Sequence, residues 1–481
     1  MKQEHFDIVV IGGGPGGSTL ATFVAQAGYR VLLLERETFP RYQIGESLLP
    51  PTIGICHRLG LGEALEGAGF TPKNGGVWYW GSDDVPGWGF DFSELPKAPL
   101  YGSAWAYQVE RSKFDTLLLQ NARAKGVVVR ERHKVIDLIE DEGGRVVGVR
   151  YEDDQGAVGT ALARFVADAG GHTSVFHRQV GERVFADRFR NLALHCYYEG
   201  GKRLPPPQSG SILNVSFDKG WFWYIPLAPN LTSIGAVIST NDAPLLRVGL
   251  EEAMNSFIES CPLIKHYLGD TPRVTTGPYG QYRVRRDWSY SNTRFWKPGM
   301  VLIGDAACFV DPLFSSGVHL ATYSAFLASR TILTTLENPG LEQRAFQAFE
   351  TAYRKEYRHF FDYLSFFYDT HHDKEAYFRQ ARDVLGTAES AKQAFVRLVG
   401  GFSTNTSEPR PPPAILQQPL GVPGSKPASA SRVVDSSPGN QDVARTLQQG
   451  GPDQPLTEAL YGLFPSSDGL RWVDAGAGRA H

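Results

Sequence analysis

Residues 6–17 read FDIVVIGGGPGG, a short β-branched run followed at once by a glycine-rich turn. The run predicts a buried strand, and the small residues from Ser18 to Gln26 predict a helix that ends at Gly28. A second apolar run, residues 31–34, predicts the next strand and is followed by Glu35. Strand, turn, helix and strand in this order predict a βαβ unit within a parallel sheet.

The turn carries the spacing Gly12-x-Gly14-x-x-Gly17 between the predicted strand and helix. In such turns the first glycine permits the tight turn, the second lets the backbone approach a pyrophosphate, and the third lets the helix pack closely on the strand. An acidic residue at the end of the next strand, here Glu35, accepts hydrogen bonds from ribose hydroxyls. The combination predicts a dinucleotide site, because a turn used for packing alone would leave Glu35 unexplained.

Composition narrows the class of protein. The 481 residues include 48 Lys and Arg against 51 Asp and Glu, and four scattered cysteines without a Cys-x-x-Cys pair. This length excludes a small scaffold held together by disulfides or a metal, and the cysteine pattern predicts no metal site and favours the cytoplasm. A charge near zero gives no reason to expect a nucleic-acid partner. The sequence pattern predicts neither a membrane helix nor a secretory signal.

Three further regions differ from the first in composition and in the spacing of their aromatic residues. Residues 75–107 and 192–290 are rich in aromatic residues, Gly and Pro with short alternating stretches, which predicts a second, mainly antiparallel sheet inserted between parts of the first domain. Residues 341–399 carry aromatic residues at intervals of three and four, which predicts helices. Residues 403–481 begin with a Pro-, Ser- and Gly-rich segment, which predicts a mostly disordered tail in which 456–464 is a candidate for docking or partner binding.

Two later segments carry a family resemblance. Residues 167–171 read ADAGG after a predicted strand, and residues 303–307 read IGDAA, with Pro312 and Gly317 following. Together with the first turn they resemble the three nucleotide-binding motifs of the para-hydroxybenzoate hydroxylase-like flavoproteins. The resemblance implies FAD as cofactor. It implies a cofactor-binding set of Gly12, Gly14, Gly17, Glu35, Arg41, Ser47, Arg111, Asp168, Asp305 and Gly317.

The implied fold is α/β, with a Rossmann-type FAD-binding domain, an interleaved, mainly antiparallel substrate-side sheet and a helical C-terminal region. We expect an enzyme core over residues 1–340, a helical region over 341–402 and the tail over 403–481. Within the core, the expected FAD-binding segments are 1–72, 108–190 and 291–340, and the expected substrate-side segments are 73–107 and 191–290.

A double-tryptophan motif indicates the reaction class. Trp221, Trp223, Ile225 and Pro226 match the W-x-W-x-I-P motif of the flavin-dependent halogenases, which this chain resembles over about residues 5–400. Two indoles on one face of a strand form a rigid apolar wall that excludes water and keeps a bulky substrate away from a flavin. Taken alone, two such tryptophans would equally suit an ordinary core.

Lys73 and the segment 311–319 complete the resemblance. Most lysines are exposed and inert, but Lys73 follows a proline in an apolar, aromatic stretch, and burial would lower its pKa. It occupies the place of the halogenase active-site lysine. The halogenase chloride site corresponds to the backbone amides of Ser316 and Gly317. Phe314 stands where tryptophan halogenases have a catalytic glutamate, which argues against free tryptophan as substrate.

The resemblance, closest to the group that contains the chondramide halogenase, also implies a mechanism. A separate NAD(P)H-dependent flavin reductase supplies FADH2, O2 gives a flavin C4a-hydroperoxide, and bound chloride or bromide is oxidised to hypohalous acid. Lys73 then passes the halogen to an electron-rich aromatic ring. The expected substrate is an electron-rich ring, either a phenol of tyrosyl type or a pyrrole, on an acyl or peptidyl carrier protein, in the biosynthesis of a secondary metabolite such as an antibiotic.

Two other readings stay open at this point. The first is an FAD-dependent aromatic monooxygenase of the same fold, which would oxidise NAD(P)H directly and need no halide. The second is a flavoprotein that binds a carrier protein or peptide without catalysis, against which the intact Lys73 and tryptophan motif argue.

Overall fold

The computed structural model describes residues 3–80, 87–94, 104–368, 374–402, 460–466 and 468–474. The strands in these ranges are β1 Gln3–Ile11, β2 Val31–Leu34, β3 Thr71–Lys73, β4 Gly75–Tyr79, β5 Trp88–Asp91, β6 Ala106–Gln108, β7 Val128–Arg130, β8 His133–Glu140, β9 Val146–Asp153, β10 Val158–Asp168, β11 Arg183–Tyr198, β12 Ile212–Phe217, β13 Gly220–Ala228, β14 Leu231–Ser239, β15 Arg283–Asn292, β16 Trp296–Lys297, β17 Met300–Leu302, β18 Cys308–Phe309, β19 Leu463–Pro465 and β20 Trp472–Asp474.

The α-helices are α1 Pro15–Gln26, α2 Pro50–Arg58, α3 Gly62–Glu66, α4 Arg111–Ala124, α5 Leu250–Glu259, α6 Pro262–Leu268, α7 Ser316–Glu337, α8 Glu342–Phe367, α9 Lys374–Leu385 and α10 Ala391–Val399. Within the described ranges, no helix is long and apolar enough to cross a bilayer. The same ranges contain no cluster of three or more His, Cys, Asp or Glu side chains placed to hold a metal ion.

The first sheet is built on five parallel strands in the order β17-β10-β1-β2-β7. β16 adds an antiparallel edge, and the β8–β9 hairpin pairs with the start of β10. The last residues of β1 and all of β2 are buried, because α1 packs against both strands and α4 and α7 pack against α1. The predicted β1-α1-β2 unit is confirmed.

The second sheet has eight strands in the order β18-β15-β11-β14-β13-β12-β4-β5, and only the β12–β4 pair is parallel. Its two faces bury different sets of side chains. Phe222 and Tyr224 of β13 pack in a cluster with residues of α5 and α6, whereas Trp221 and Trp223 belong to the main core. The mainly antiparallel character expected for residues 75–107 and 192–290 is confirmed. The strands extend beyond those limits, since β11 begins at Arg183 and β15 ends at Asn292.

The aromatic side chains of the C-terminal helices pack against aromatic side chains at one edge of the second sheet. The Trp78 ring stacks on Trp88 at 5.2 Å between centroids, and Phe367 of α8 and Phe395 of α10 meet Trp88 edge-on. The three-and-four spacing of the sequence therefore marks a buried helix face, as predicted.

Part of the predicted tail is folded. Residues 460–466 and 468–474 form a hairpin of β19 and β20 against α7 and α8. The buried indole of Trp472 donates to Thr331 Oγ1 at 3.0 Å, and Arg344 pairs with Asp474 at 2.6 Å. The hairpin agrees with the docking expected of 456–464 over residues 460–464, and it continues to residue 474. Residues 403–459, 467 and 475–481 lie outside the described part of the chain, so 456–459 of the docking candidate do too.

The contact between Gly17 and Gly12 yields a prediction. A Cβ at Gly17 would lie 1.9 Å from the carbonyl oxygen of Gly12, a clash with backbone that cannot be relieved by side-chain motion. We expect Gly17→Ala to lower the free energy of unfolding by about 1–3 kcal/mol and to weaken FAD binding. Denaturant unfolding and flavin fluorescence titration measure the two effects. Gly340→Ala, where the nearest atom is 3.4 Å away, is the control, and equal behaviour of both variants would contradict the prediction.

Candidate active site

A cavity of about 760 Å³ opens at the carboxyl ends of the parallel strands. This edge is where ligands bind in α/β sheets of this kind. The cavity continues to the second sheet, where Trp223 and Ile225 line it. Most of the predicted cofactor-binding residues meet at this cavity, namely Gly12, Gly14, Glu35, Arg41, Ser47, Arg111, Asp305 and Gly317.

The first glycine motif brings backbone, rather than side chains, to the cavity. Gly12 has φ +96°, and a Cβ there would lie 2.6 Å from the carbonyl oxygen of Ala169. Gly14 precedes α1, whose first turn has no side-chain cap and carries Pro15 at its start, so its amides are available to an anion. Gly17 does not line the cavity. It packs α1 on the turn, as the third glycine is predicted to do.

Glu35 is held by backbone as well as facing the cavity. Its carboxylate accepts hydrogen bonds from the Gly13 amide at 2.7 Å and from the Glu37 amide at 2.8 Å. These two bonds fix the acid at the end of β2 beside the glycine turn. The sequence indicated the acid but not its tie to Gly13, which needs the two strands side by side.

Arg41 and Arg111 meet at one carboxylate. Arg111 binds Asp115 in a two-pronged ion pair at 2.8 and 2.9 Å and donates to the carbonyl of Ile44 at 2.6 Å. Arg41 approaches the same Asp115 at 3.4 Å. The buried pairs fix the segment that includes Ile44 against α4, so that both guanidinium groups border the cavity.

Asp168 lies behind the loop that reaches the cavity. Its fully buried carboxylate accepts hydrogen bonds from the Gly170 amide at 2.9 Å and from the Ser174 hydroxyl, and it does not line the cavity. Burial raises its pKa to about 6, and these bonds oppose the shift. The side chain therefore shapes the loop after β10. The loop residues Ala169 and Gly170 reach the cavity instead.

Asp305 lies within the third motif and borders the cavity beside a basic residue. Its carboxylate lies 3.8 Å from the guanidinium of Arg285 in β15. Burial raises the pKa of Asp305, while Arg285 and Arg111 oppose that shift. The contact links the turn between β17 and β18, where Asp305 lies, to β15 of the second sheet, which carries Arg285.

The turn before α7 has a left-handed residue at its centre. Ser315 has φ +59° and immediately precedes α7, which has no side-chain cap. Ser315 and Gly317 line the cavity, whereas the Ser316 side chain is buried away from it. A Cβ at Gly317 would meet no atom within 4 Å, so the space on the Cβ side of this residue is open.

The tryptophan motif forms a wall with two layers. Trp223 faces the cavity and donates to Ser233 Oγ at 3.2 Å. Trp221 lies behind it at 6.2 Å between ring centroids and donates to the hydroxyl of Tyr368 at 2.9 Å. Ile225 extends the wall, and Pro226 is buried beside a bulge that ends the regular pairing of β13.

Lys73 is a buried lysine outside the cavity. Its side chain is 2% exposed, its Nζ donates to the carbonyl oxygen of Leu48 at 2.8 Å, and the ring of Phe92 lies 5.6 Å from it. No acid pairs with it among the described residues. Burial lowers the pKa of Lys73 to about 7. The sequence-based expectation of a buried lysine is confirmed.

Sequence reasoning missed a polar chain along one wall of the cavity. The Tyr197 hydroxyl donates to Glu46 at 2.8 Å, and the Tyr42 hydroxyl lies 2.8 Å from that of Tyr197 and 3.0 Å from Nε2 of His195. Burial raises the pKa of Glu46 to about 7 and lowers that of His195 to about 4. Two distant segments supply these residues, so no local signal marks them. Only their polarity in buried runs gives a hint.

The residues present fit FAD. Gly12 and Gly14 form a cradle without side chains, the uncapped first turn of α1 suits a pyrophosphate, and Glu35 stands at the predicted ribose position. Arg111 and Asp305 border the same cavity, and Trp223 and Ile225 supply an apolar wall. This set would hold the cofactor, which supplies the electrons that activate O2.

Comparison with known proteins gives the family. The family model described as "Tryptophan halogenase" matches residues 7–98 and 90–409. The solved structure of the myxobacterial chondrochloren halogenase, titled a variant of FAD-dependent halogenases, is similar with a TM-score of 0.76 and 49% identity. That alignment covers 98% of this chain and 100% of the other.

Two curated relatives are also named as halogenating enzymes. A protein of Chondromyces crocatus named tryptophan 2-halogenase is 34% identical over 82% of this chain and 75% of its own length. A peptidyl-carrier-protein pyrrole-2-carbonyl chlorinase of Pseudomonas fluorescens is 29% identical over 76% of this chain and 84% of its own. Proteins of this kind are enzymes that use FAD, a halide and O2 and need a separate flavin reductase. The chain belongs to the tryptophan halogenase family of flavin-dependent halogenases.

Proposed function

We propose that this halogenase chlorinates an electron-rich aromatic ring, of phenolic or tyrosyl type, that is presented on an acyl or peptidyl carrier protein. Lys73 is the proposed catalytic residue, and the amides of Ser316 and Gly317 are the proposed halide site. The single observation that carries the assignment is the burial of Lys73 without an acid partner among the described residues.

Burying a lysine without an acidic partner destabilises the folded state, which suggests that the burial serves a function. Desolvation disfavours the ammonium form and lowers the pKa of Lys73 to about 7. At neutral pH a substantial fraction of the amine is therefore uncharged. A neutral amine can accept a halogen from hypohalous acid or hold that acid by a hydrogen bond. The Leu48 carbonyl accepts one N–H and leaves the lone pair of a neutral amine free.

The halide assignment is supported by the turn at α7. The helix has 22 residues, begins without a side-chain cap, and presents Gly317 to open space at the cavity. Backbone N–H groups in this position attract small anions. Asp311 stabilises the turn from inside by accepting the Leu313 amide at 3.0 Å.

The environment of Phe314 supports a substrate other than free tryptophan. Its ring packs on Tyr363 at 5.4 Å and Phe367 at 5.2 Å between centroids, so this position offers no carboxylate to a substrate. The name of the Pseudomonas fluorescens relative includes a peptidyl carrier protein, which supports a tethered substrate for this chain too. Delivery on a tether would bring a neutral ring to the apolar surroundings of Lys73.

The role of Lys73 is tested by replacing its side chain with that of alanine. We expect Lys73→Ala to reduce halogenation at least 100-fold, because no other described lysine shares its burial, while FAD affinity stays within about twofold. Product analysis by mass spectrometry and flavin titration measure the two quantities. Lys113→Ala is the matched control, since Lys113 also donates to a carbonyl, that of Ala68, but is exposed. Substantial halogenation by Lys73→Ala would refute the assignment.

The lowered pKa of Lys73 predicts a pH profile. The folded-state pKa of about 7 lies below the ordinary value of 10.5, so the neutral amine increases as the pH rises through 7. We expect the single-turnover rate of halogenation to rise through about pH 7 and then level off. The rate of FADH2 oxidation, followed in the same samples, is expected to lack this inflection. A halogenation rate that is flat from pH 6 to pH 9 would contradict the prediction.

The substrate class is tested with a panel. A tyrosyl unit and a pyrrole-2-carbonyl unit are offered both free and as thioesters on a carrier protein, with free tryptophan, FADH2, O2 and chloride. We expect the tyrosyl thioester to be chlorinated at least tenfold faster than free tyrosine. Equal rates would exclude the tethered-substrate proposal, and chloride-independent hydroxylation would indicate an aromatic monooxygenase instead.

A further inference from the structure

A narrow β-ribbon connects the cavity with Lys73. It consists of the segment Glu46–Leu48, strand β6 and strand β3. Ser47 is bridged to Gln108, Gln108 lies opposite Thr71, and Lys73 lies opposite Ala106. Directly opposite residues of a ladder, and residues two apart on one strand, point to the same face. Ser47, Gln108 and Lys73 therefore share one face of this ribbon.

That face carries polar atoms whose hydrogen-bonding capacity is unused. The hydroxyl of Ser47 and the side-chain carbonyl oxygen of Gln108 are buried and make no hydrogen bond within the described part of the chain. Gln108 is 0% exposed, and its amide nitrogen is already fixed on the carbonyl of Gly210 at 3.0 Å. Buried polar atoms of native proteins are normally satisfied by protein, ordered water or a bound molecule.

The two unsatisfied groups lie between the cavity, where the oxidant would form, and Lys73, where the aromatic ring would be halogenated. Ser47 lines the cavity where the cofactor is held, whereas Lys73 does not. The residue after Ser47 supplies the carbonyl that binds Lys73 Nζ. The face of the ribbon thus leads from the cavity wall, through Gln108, to the lysine.

We propose that Ser47 and Gln108 guide hypohalous acid from the cavity to Lys73. This inference rests on the proposed function. Hypohalous acid is close to water in size and has an O–H donor and an oxygen acceptor, which the Ser47 hydroxyl and the Gln108 carbonyl oxygen complement. At the lysine the acid reacts with the substrate, whose C–H bond is replaced by a C–halogen bond with release of water. Ser47 and Gln108 are positioning residues, since neither exchanges atoms in that step.

The test separates oxidant formation from oxidant transfer. Ser47→Ala and Gln108→Leu are compared with wild type on whichever panel aromatic the wild-type enzyme halogenates. We expect Gln108→Leu to keep FADH2 oxidation within about twofold. In both variants, assayed at saturating FAD, we expect the halogenated product formed per FADH2 oxidised to fall about five- to tenfold. Halogenation of monochlorodimedone, a small scavenger in solution, is expected to rise as the oxidant escapes. Ser47→Thr, which keeps the hydroxyl, is expected to restore most of the product yield.

The controls distinguish transfer from folding and from cofactor binding. Thr52→Val removes a hydroxyl that is equally buried and unsatisfied but lies in α2, and it should leave the product yield unchanged. Flavin titration checks that Ser47→Ala still binds FAD. Wild-type yield in both Ser47→Ala and Gln108→Leu would overturn this inference alone. A wild-type enzyme that halogenates no panel member would overturn the proposed function and this inference together.

Discussion

The close packing of α1 on the glycine turn is the constraint on which the rest of the site depends. Gly17 touches the carbonyl of Gly12, and no larger residue fits there. The seated helix places its first turn at the cavity, and at Gly16 a Cβ would approach the Ala321 carbonyl of α7 at 3.3 Å. The packing of α1 on α7 in turn sets where α7 begins. Two uncapped helix starts therefore border one cavity, and helix starts of this kind attract anions.

A second constraint is the separation of the cavity from Lys73. Trp223 and Ile225 form a wall of the cavity, and Lys73 is buried outside the cavity, beyond the segment that carries Ser47. A lysine in the open cavity would be hydrated and mostly charged, whereas a buried lysine has a pKa near 7. The fold thus keeps the Lys73 amine away from water, and a ribbon face with polar side chains lies between the lysine and the cavity.

The aromatic residues serve two purposes that composition cannot separate. Trp221 and Trp223 form the wall that faces the cofactor, with Trp221 tied to Tyr368 just after α8. A larger group, including Trp88, Phe367 and Phe395, fills the core between the second sheet and the C-terminal helices. The same helix that buries this core therefore also supports the wall.

Local patterns in the sequence specified the secondary-structure elements and indicated the cofactor and the enzyme class. The run from Phe6 to Gly17 specified strand, turn and helix, because periodicity and glycine spacing act over a few residues. The aromatic spacing of residues 341–399 likewise specified a buried helix face. The resemblance of separate motifs indicated FAD and a halogenase, both of which the family match supports.

Tertiary structure decided which of these residues meet. Asp168 turned inward to Ser174, the chain from Glu46 to His195 was assembled from distant segments, and residues 460–466 and 468–474 folded onto α7. The acceptor of Lys73 and the shared face of Ser47 and Gln108 likewise depend on strand pairing. Pairing register and burial are set by contacts between residues far apart in the chain, and they leave no local pattern from which a sequence alone could reveal them.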